Sequence, residues 1–178
     1  MTIDLPPDLP KRRRLRLTAF DYTTAGAYFV TICTDGRRCI LGNVEGEDIR
    51  LSPIGEIVSQ LWSSLPTRWL GIDIDEFVVM PNHLHAVVLL GEGGPALPQL
   101  ISRFKSFSTR TVRALPGESK TRLWQRSYHD HVVRDDSGLS RIREYIANNP
   151  MKWHLDRENP ANVGRAARRA GREAGPYN

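Results

Sequence analysis

Apolar and polar positions alternate along this chain in blocks, with a period that switches between two and about 3.6. Residues 27–34 and 38–44 follow the two-residue period and predict a hairpin turning at Asp35-Gly36. Ile49-Arg-Leu51 predicts a short third strand. Pro53 stands where a helix can begin, and Ile54, Ile57, Val58, Leu61 and Trp62 give that helix one apolar face. Residues 72–80 and 83–90 predict two strands joined at Pro81-Asn82. A helix over Leu97–Leu115 follows, with Leu97, Leu100, Ile101, Phe104, Thr111 and Leu115 on one face. After a loop come a strand near 127–134 and a helix from Gly138 to Asn149. Asp136 or Ser137 caps the start of that helix, Pro150 ends it, and Leu139, Ile142 and Ile146 form its stripe.

This order predicts an α+β domain: one antiparallel sheet with helices packed mainly on one face. The chain of 178 residues has room for one domain, expected over 17–155. Residues 1–16 predict a flexible basic arm, ending in five positive charges in the six residues Lys11–Arg16. Residues 156–178, rich in Ala, Arg, Gly and Pro, predict a basic, disordered tail. The sequence contains no bilayer-length apolar run and no signal-peptide pattern, so a cytoplasmic protein with no membrane partner is expected. A two-residue turn at Asp35-Gly36 would put Cys33 and Cys39 on opposite sheet faces, which disfavours a disulfide.

Charge sharpens the picture. The net charge is +5, yet residues 99–134 hold eight Lys or Arg against two acids, while residues 42–98 hold eight acids against two Arg. A local basic patch of this kind suits a polyanion. Candidate contacts are Arg12, Arg13 and Arg14 of the arm, then Arg103, Lys105, Arg110, Arg113, Lys120, Arg122 and Arg126. The plainer alternative is a solvated helix face.

Candidate chemistry lies in two places. His83 and His85 are i and i+2 on a strand, so their imidazoles share a face and can hold one metal ion with open coordination positions. Two hydrogen-bonded structural histidines would read the same way. Tyr145 falls at the edge of the last helix's apolar stripe, where its ring can pack while its hydroxyl reaches a pocket. An amphipathic tyrosine with a wet tip is the alternative.

Met80-Pro-Asn-His83-Leu-His85, followed by Tyr145-Ile-Ala-Asn-Asn149-Pro150, resembles the single-tyrosine HUH transposases, and most of all their REP-associated branch. Gly26–Thr34, Leu123–Arg134 and Arg141–Trp153 add to the resemblance, which covers roughly residues 12–155. It implies a ferredoxin-like fold and a DNA strand nickase and transesterase. Tyr145 would attack the scissile phosphate, keep the 5′-phosphate as a covalent phosphotyrosine and free a 3′-hydroxyl. It implies a divalent ion, Mg²⁺ or Mn²⁺, on His83 and His85, although Zn²⁺ also suits imidazoles. Asn149, one turn beyond Tyr145, would be the third ligand; Pro150 leaves open that it ends the helix instead. The implied partner is single-stranded DNA folded into a REP-type hairpin, bound by a monomer or homodimer. The face carrying His83, His85, Val87 and Leu89 is expected to meet the helices. The face of Leu84, Ala86, Val88 and Leu90 would then need cover from the arm, the tail or a second subunit. Two other classes fit the residues: a non-catalytic single-stranded nucleic-acid-binding module, and a small metallohydrolase that uses water as nucleophile.

Overall fold

A computed structural model describes residues 25–155, 159, 160 and 162. The expectations for the arm and the tail, with Arg12, Arg13 and Arg14, lie outside the described residues.

The domain is built on a four-stranded antiparallel sheet. Its strands are β1 (Gly26–Cys33), β4 (Ile72–Met80), β5 (His83–Leu90) and β6 (His129–Val133), in the order β4-β5-β1-β6. A separate hairpin pairs β2 (Gly42–Glu45) with β3 (Asp48–Leu51). The helices are α1 (Pro53–Ser63), α2 (Leu65–Arg68), α3 (Leu97–Arg113) and α4 (Asp136–Ala147). The α+β class and the antiparallel sheet agree with the sequence reading.

The hairpin of 27–34 with 38–44 does not form. Both edges of β1 are taken, by β5 and by β6. Its end is also held by distant partners: the Thr34 amide donates to the Asn82 carbonyl at 2.9 Å, and the Asp35 amide to that of Leu123 at 2.9 Å. The second strand therefore starts later, at Gly42, and pairs only with β3. Cys33 is buried in β1 and Cys39 is exposed in the following loop, both as free thiols.

The helices pack mainly on one face, as expected, but it is the face opposite the histidines rather than the one carrying them. The core is Leu84, Ala86, Val88 and Leu90 of β5 with Tyr28, Val30 and Ile32 of β1, covered by Val58 and Trp62 of α1 and by Leu97, Leu100, Ile101 and Phe104 of α3. The apolar face that seemed to need an outside cover is thus sealed by the chain's own helices. Three of the four helices lie on that side, and α4 alone crosses the histidine side, against β4 and β5. The stripe of α3 also turns: Ser108 and Val112 are buried where Thr111 and Leu115 were expected, because Ser108 accepts the indole N–H of buried Trp124 at 2.8 Å.

Local signals explain the helix ends. Ser52 caps α1, its hydroxyl accepting from the Gly55 amide at 3.1 Å, with Pro53 in the first turn. Gly55 is where α1 meets the preceding loop: a Cβ there would lie 1.9 Å from the Leu41 carbonyl oxygen. The cap of α4 is Asp135, not Asp136 or Ser137; its carboxylate accepts from the Gly138 amide at 2.6 Å. The helix stops at Ala147 with Asn148 as C-cap, so Asn149 stands just beyond it and before Pro150.

Candidate active site

Register puts the chemistry together. In β5, His83 and His85 face the α4 side, and their cross-strand partners in β1 are Cys33 and Thr31. The two imidazole centroids are 4.3 Å apart. α4 lays Tyr145 over this pair: its hydroxyl is 3.3 Å from His85 Nε2. The phenol is the stronger acid and donates, so Nε2 accepts and Nδ1 carries the ring proton. That proton goes to Thr31 Oγ1, 2.8 Å away. His83 is oriented in the same sense: its Nδ1 donates to Asn82 Oδ1 at 2.9 Å, since an amide oxygen can only accept. Both rings therefore turn Nε2 into the site. Phe29 stacks on His85 at 5.3 Å and meets the Tyr145 ring edge-on at 6.0 Å. Trp153 lies 6.0 Å from the His83 ring.

Burial controls the protonation. His85 is held neutral, its pKa pushed down to about 3, chiefly by burial and then by the nearby His129. His83 is pushed well below its ordinary value by burial first, then by His85 and by Arg37. Neutral imidazoles are the form that binds metal. Among the described residues no three His, Cys, Asp or Glu side chains cluster for a metal. Asn149 remains the sequence's candidate for a third ligand. It is 3 % exposed, its Oδ1 accepts no hydrogen bond, and it stands four residues after Tyr145. A buried amide oxygen without a donor is costly unless something positive completes it. Two imidazoles and one amide oxygen fit a divalent ion.

An ion pair fixes α4 in place. Arg143 clamps Asp75 through two hydrogen bonds, Nε to Oδ1 at 2.7 Å and Nη2 to Oδ2. Asp75 sits in the β-bulge between Ile74 and Phe77, and the Arg143 guanidinium holds its carboxyl below the ordinary value.

The basic candidates separate into groups. Lys105, Arg110, Arg113, Arg122 and Arg126 line, with Trp124, a groove of about 510 Å³ between α3 and the 122–126 loop. Within it Lys105 braces the loop, its ammonium donating to the carbonyls of Gln125 at 3.0 Å and Ser127 at 2.8 Å. Burial lowers its pKa to about 8. Arg103 lies outside the groove, its guanidinium 4.5 Å over the Trp69 ring, and Lys120 is exposed on the loop. α3 itself packs on the sheet face opposite the histidines.

The family profile of IS200-like transposases matches residues 27–149. The chain belongs to the IS200-like transposase family. A Haemophilus influenzae protein of uncharacterised function is 32% identical over 177 residues, covering 88% of this chain and 97% of its own. A second protein of that organism, provisionally named a REP-associated tyrosine transposase, is 28% identical over 144 residues, covering 74% of each chain. A REP-associated tyrosine transposase solved bound to a REP hairpin shares the fold, with a TM-score of 0.58 and 20% identity over 81% of this chain and 74% of that one. Among the described residues no helix is long and apolar enough to cross a membrane.

Of the residues singled out in the sequence, His83, His85 and Tyr145 come together. Phe29, Thr31 and Trp153 were not foreseen. Phe29 and Thr31 occupy alternate positions of β1, but only the pairing of β1 with β5 aligns them with the histidines. Asn82 was visible as the residue before His83, without its orienting role.

Proposed function

We propose that this IS200-like transposase is a metal-dependent single-stranded DNA nickase and strand transferase acting on REP-type hairpins through a covalent 5′-phosphotyrosine on Tyr145. The observation that carries this reading is the Tyr145 hydroxyl, 3.3 Å from His85 Nε2 on the face shared by both histidines. A nucleophile and a ligand pair in this relation suit attack on a phosphodiester. The REP hairpin bound by the similar solved structure and the name of the second relative support the hairpin substrate.

His83, His85 and Asn149 would hold a divalent ion, Mg²⁺ or Mn²⁺. Such an ion supplies positive charge that lowers the phenol's pKa and offsets the charge on a non-bridging phosphate oxygen. The chain's own residues do the rest. With the lone pair of its Nε2 given to the ion, His85 could not take the phenol's proton, which would pass to solvent. Tyr145 Oη bonds to phosphorus as the bond from phosphorus to the 3′-oxygen breaks, and that oxygen takes up a proton. A 3′-hydroxyl can later attack the phosphotyrosine, and tyrosinate leaves more easily than an alkoxide. Phe29 packs edge-on against the Tyr145 ring and limits how it can turn. The basic groove between α3 and the 122–126 loop, with Arg103 and Lys120, is proposed to hold hairpin backbone.

The test is incubation with a labelled hairpin oligonucleotide and Mg²⁺ or Mn²⁺, followed by a denaturing gel. Label carried on the protein is expected. Cleavage without protein-linked label would favour a metallohydrolase, and binding without cleavage a non-catalytic module.

A further inference from the structure

We infer that the outer surface of α2 and α3, where Arg68, Arg103 and Arg110 stack on Trp69 and Phe107, is a second DNA site that binds unpaired nucleotides of the hairpin; this rests on a hairpin being the substrate. The Arg103 guanidinium lies 4.5 Å over the Trp69 ring. Those of Arg68 and Arg110 lie 5.0 Å and 5.3 Å from the centre of the Phe107 ring. Positions 103, 107 and 110 form one stripe of α3, beside the buried stripe of Leu97, Leu100, Ile101, Phe104 and Ser108. Arg68 is the last residue of α2 and Trp69 follows it, so the array joins two helices.

Three like charges on one surface repel one another, and nothing acidic offsets them. No Asp or Glu occurs in residues 57–72 or 93–117. Among the described residues none of the three arginines makes an ion pair. Arg68 is also the one Lys or Arg between residues 51 and 98, a segment otherwise acidic. Its Nε donates to Ser64 Oγ at 3.1 Å, which holds it further. Stacking on a ring restricts a guanidinium and leaves its N–H edge open. The ordering that a bound phosphate would impose is therefore partly made in advance.

A partner for this surface needs negative charge and flat apolar faces. Trp69 and Phe107 are half-buried, and the adjacent Leu70 is 92 % exposed. Unpaired nucleotides meet both needs, with phosphates for the guanidiniums and bases that stack on a ring or on a stacked guanidinium. A closed duplex offers only its backbone, because its bases are already stacked. Anionic lipid would also present charge to the arginines and an apolar layer to Trp69 and Leu70. Continuity favours DNA: Arg110 lines the basic groove as well, and Ser106 of that groove precedes Phe107. The groove then takes the paired stem, and the array takes unpaired nucleotides beyond it, in the loop or in a flanking tail.

The test is fluorescence anisotropy with four labelled DNAs: a tailed hairpin, its blunt stem duplex, the hairpin with its loop replaced by a polyethylene glycol bridge, and the hairpin without its tail. Phe107→Leu keeps an apolar side chain and should melt within about 3 °C of wild type. It should bind the full hairpin about 10-fold more weakly, a loss of about 1.4 kcal/mol that lies in the range for one stacked base. Its affinity for the blunt duplex should stay within about 2-fold of wild type. The loss should vanish on whichever hairpin lacks the nucleotides bound here, the loopless one or the tailless one. Arg68→Gln combined with Arg103→Gln, both at exposed positions, should lower the log–log salt slope for the full hairpin by about 1.4, the value for two single-strand phosphate contacts. A Phe107→Leu protein that binds every DNA as the wild type does, or that loses duplex affinity equally, overturns the proposal and leaves the hairpin substrate standing. So does a loss of binding to vesicles of phosphatidylglycerol and phosphatidylcholine with DNA affinity unchanged, which would assign the surface to a membrane. A wild type that binds the hairpin no tighter than the blunt duplex would instead overturn the hairpin substrate, and this proposal with it.

Discussion

At the scale of single residues, the site depends on a few atoms with separable roles. Tyr145→Phe removes one hydroxyl and keeps the ring against Phe29 and His85. On the proposed reading, cleavage and adduct should disappear while the hairpin dissociation constant, measured by filter binding, stays within about 2-fold, since the lost group would act in the transition state. His83→Ala and His85→Ala should each abolish cleavage, and so should excess chelator on the wild type; activity that survives chelation would return the pair to a structural role. Burial of His85 also has a thermodynamic signature. Its folded pKa is depressed, so the unfolded chain takes up a proton near pH 6.5 that the native state refuses. Its contribution is fully present above that pH and is lost as pH falls from about 6.5 toward 3, by about 1.4 kcal/mol per pH unit. Metal-free wild type should therefore lose melting temperature more steeply between pH 6.5 and 5 than His85→Ala. Equal slopes would mean that His85 is solvated.

At the scale of elements, α4 decides whether Tyr145 meets the histidines. Asp135 caps it, and Arg143 ties it to the bulge of β4. Asp75→Asn should lower the adduct rate severalfold by loosening α4, leaving hairpin affinity unchanged. An unchanged rate would mean that packing of Ile146 alone positions the helix. Gly55→Ala in α1 should cost about 1–3 kcal/mol by urea unfolding, because the added methyl meets the Leu41 carbonyl. The hydrophobic pattern made most of this architecture legible: the helix starting at Pro53, the strands on either side of Pro81-Asn82, and the last helix all appear where the period changes. What it hid was pairing. Residues 27–34 look like half of a local hairpin around Asp35-Gly36, yet non-local strands occupy both edges of β1. The same ignorance of pairing hid which side of the sheet α1 and α3 would cover, since both faces of β5 are apolar in sequence. His83, His85 and Tyr145 were legible as a set through their motifs. The places of Thr31 and Phe29 depend on a register that no sequence period carries.

At the scale of the whole molecule, the proposed reading assigns cutting and holding to different sides of the sheet. The histidine–tyrosine cluster lies on the α4 side, and the arginine-lined groove runs between α3 and the 122–126 loop. Hairpin affinity should fall steeply with salt, and Arg126→Ala should lower the log–log salt slope by about 1 without changing the adduct rate at saturating DNA. An affinity insensitive to salt would make the groove a solvated surface. The central claim is narrower: Tyr145 becomes joined to the 5′-phosphate of the cut strand. The direct measurement is mass spectrometry of the trypsin-digested protein–DNA complex after nuclease trimming. The nucleotide mass should sit on the peptide Glu144–Lys152, whose single tyrosine is Tyr145. A nucleotide on any other peptide, or efficient cleavage with unmodified Glu144–Lys152 and no adduct, would contradict it.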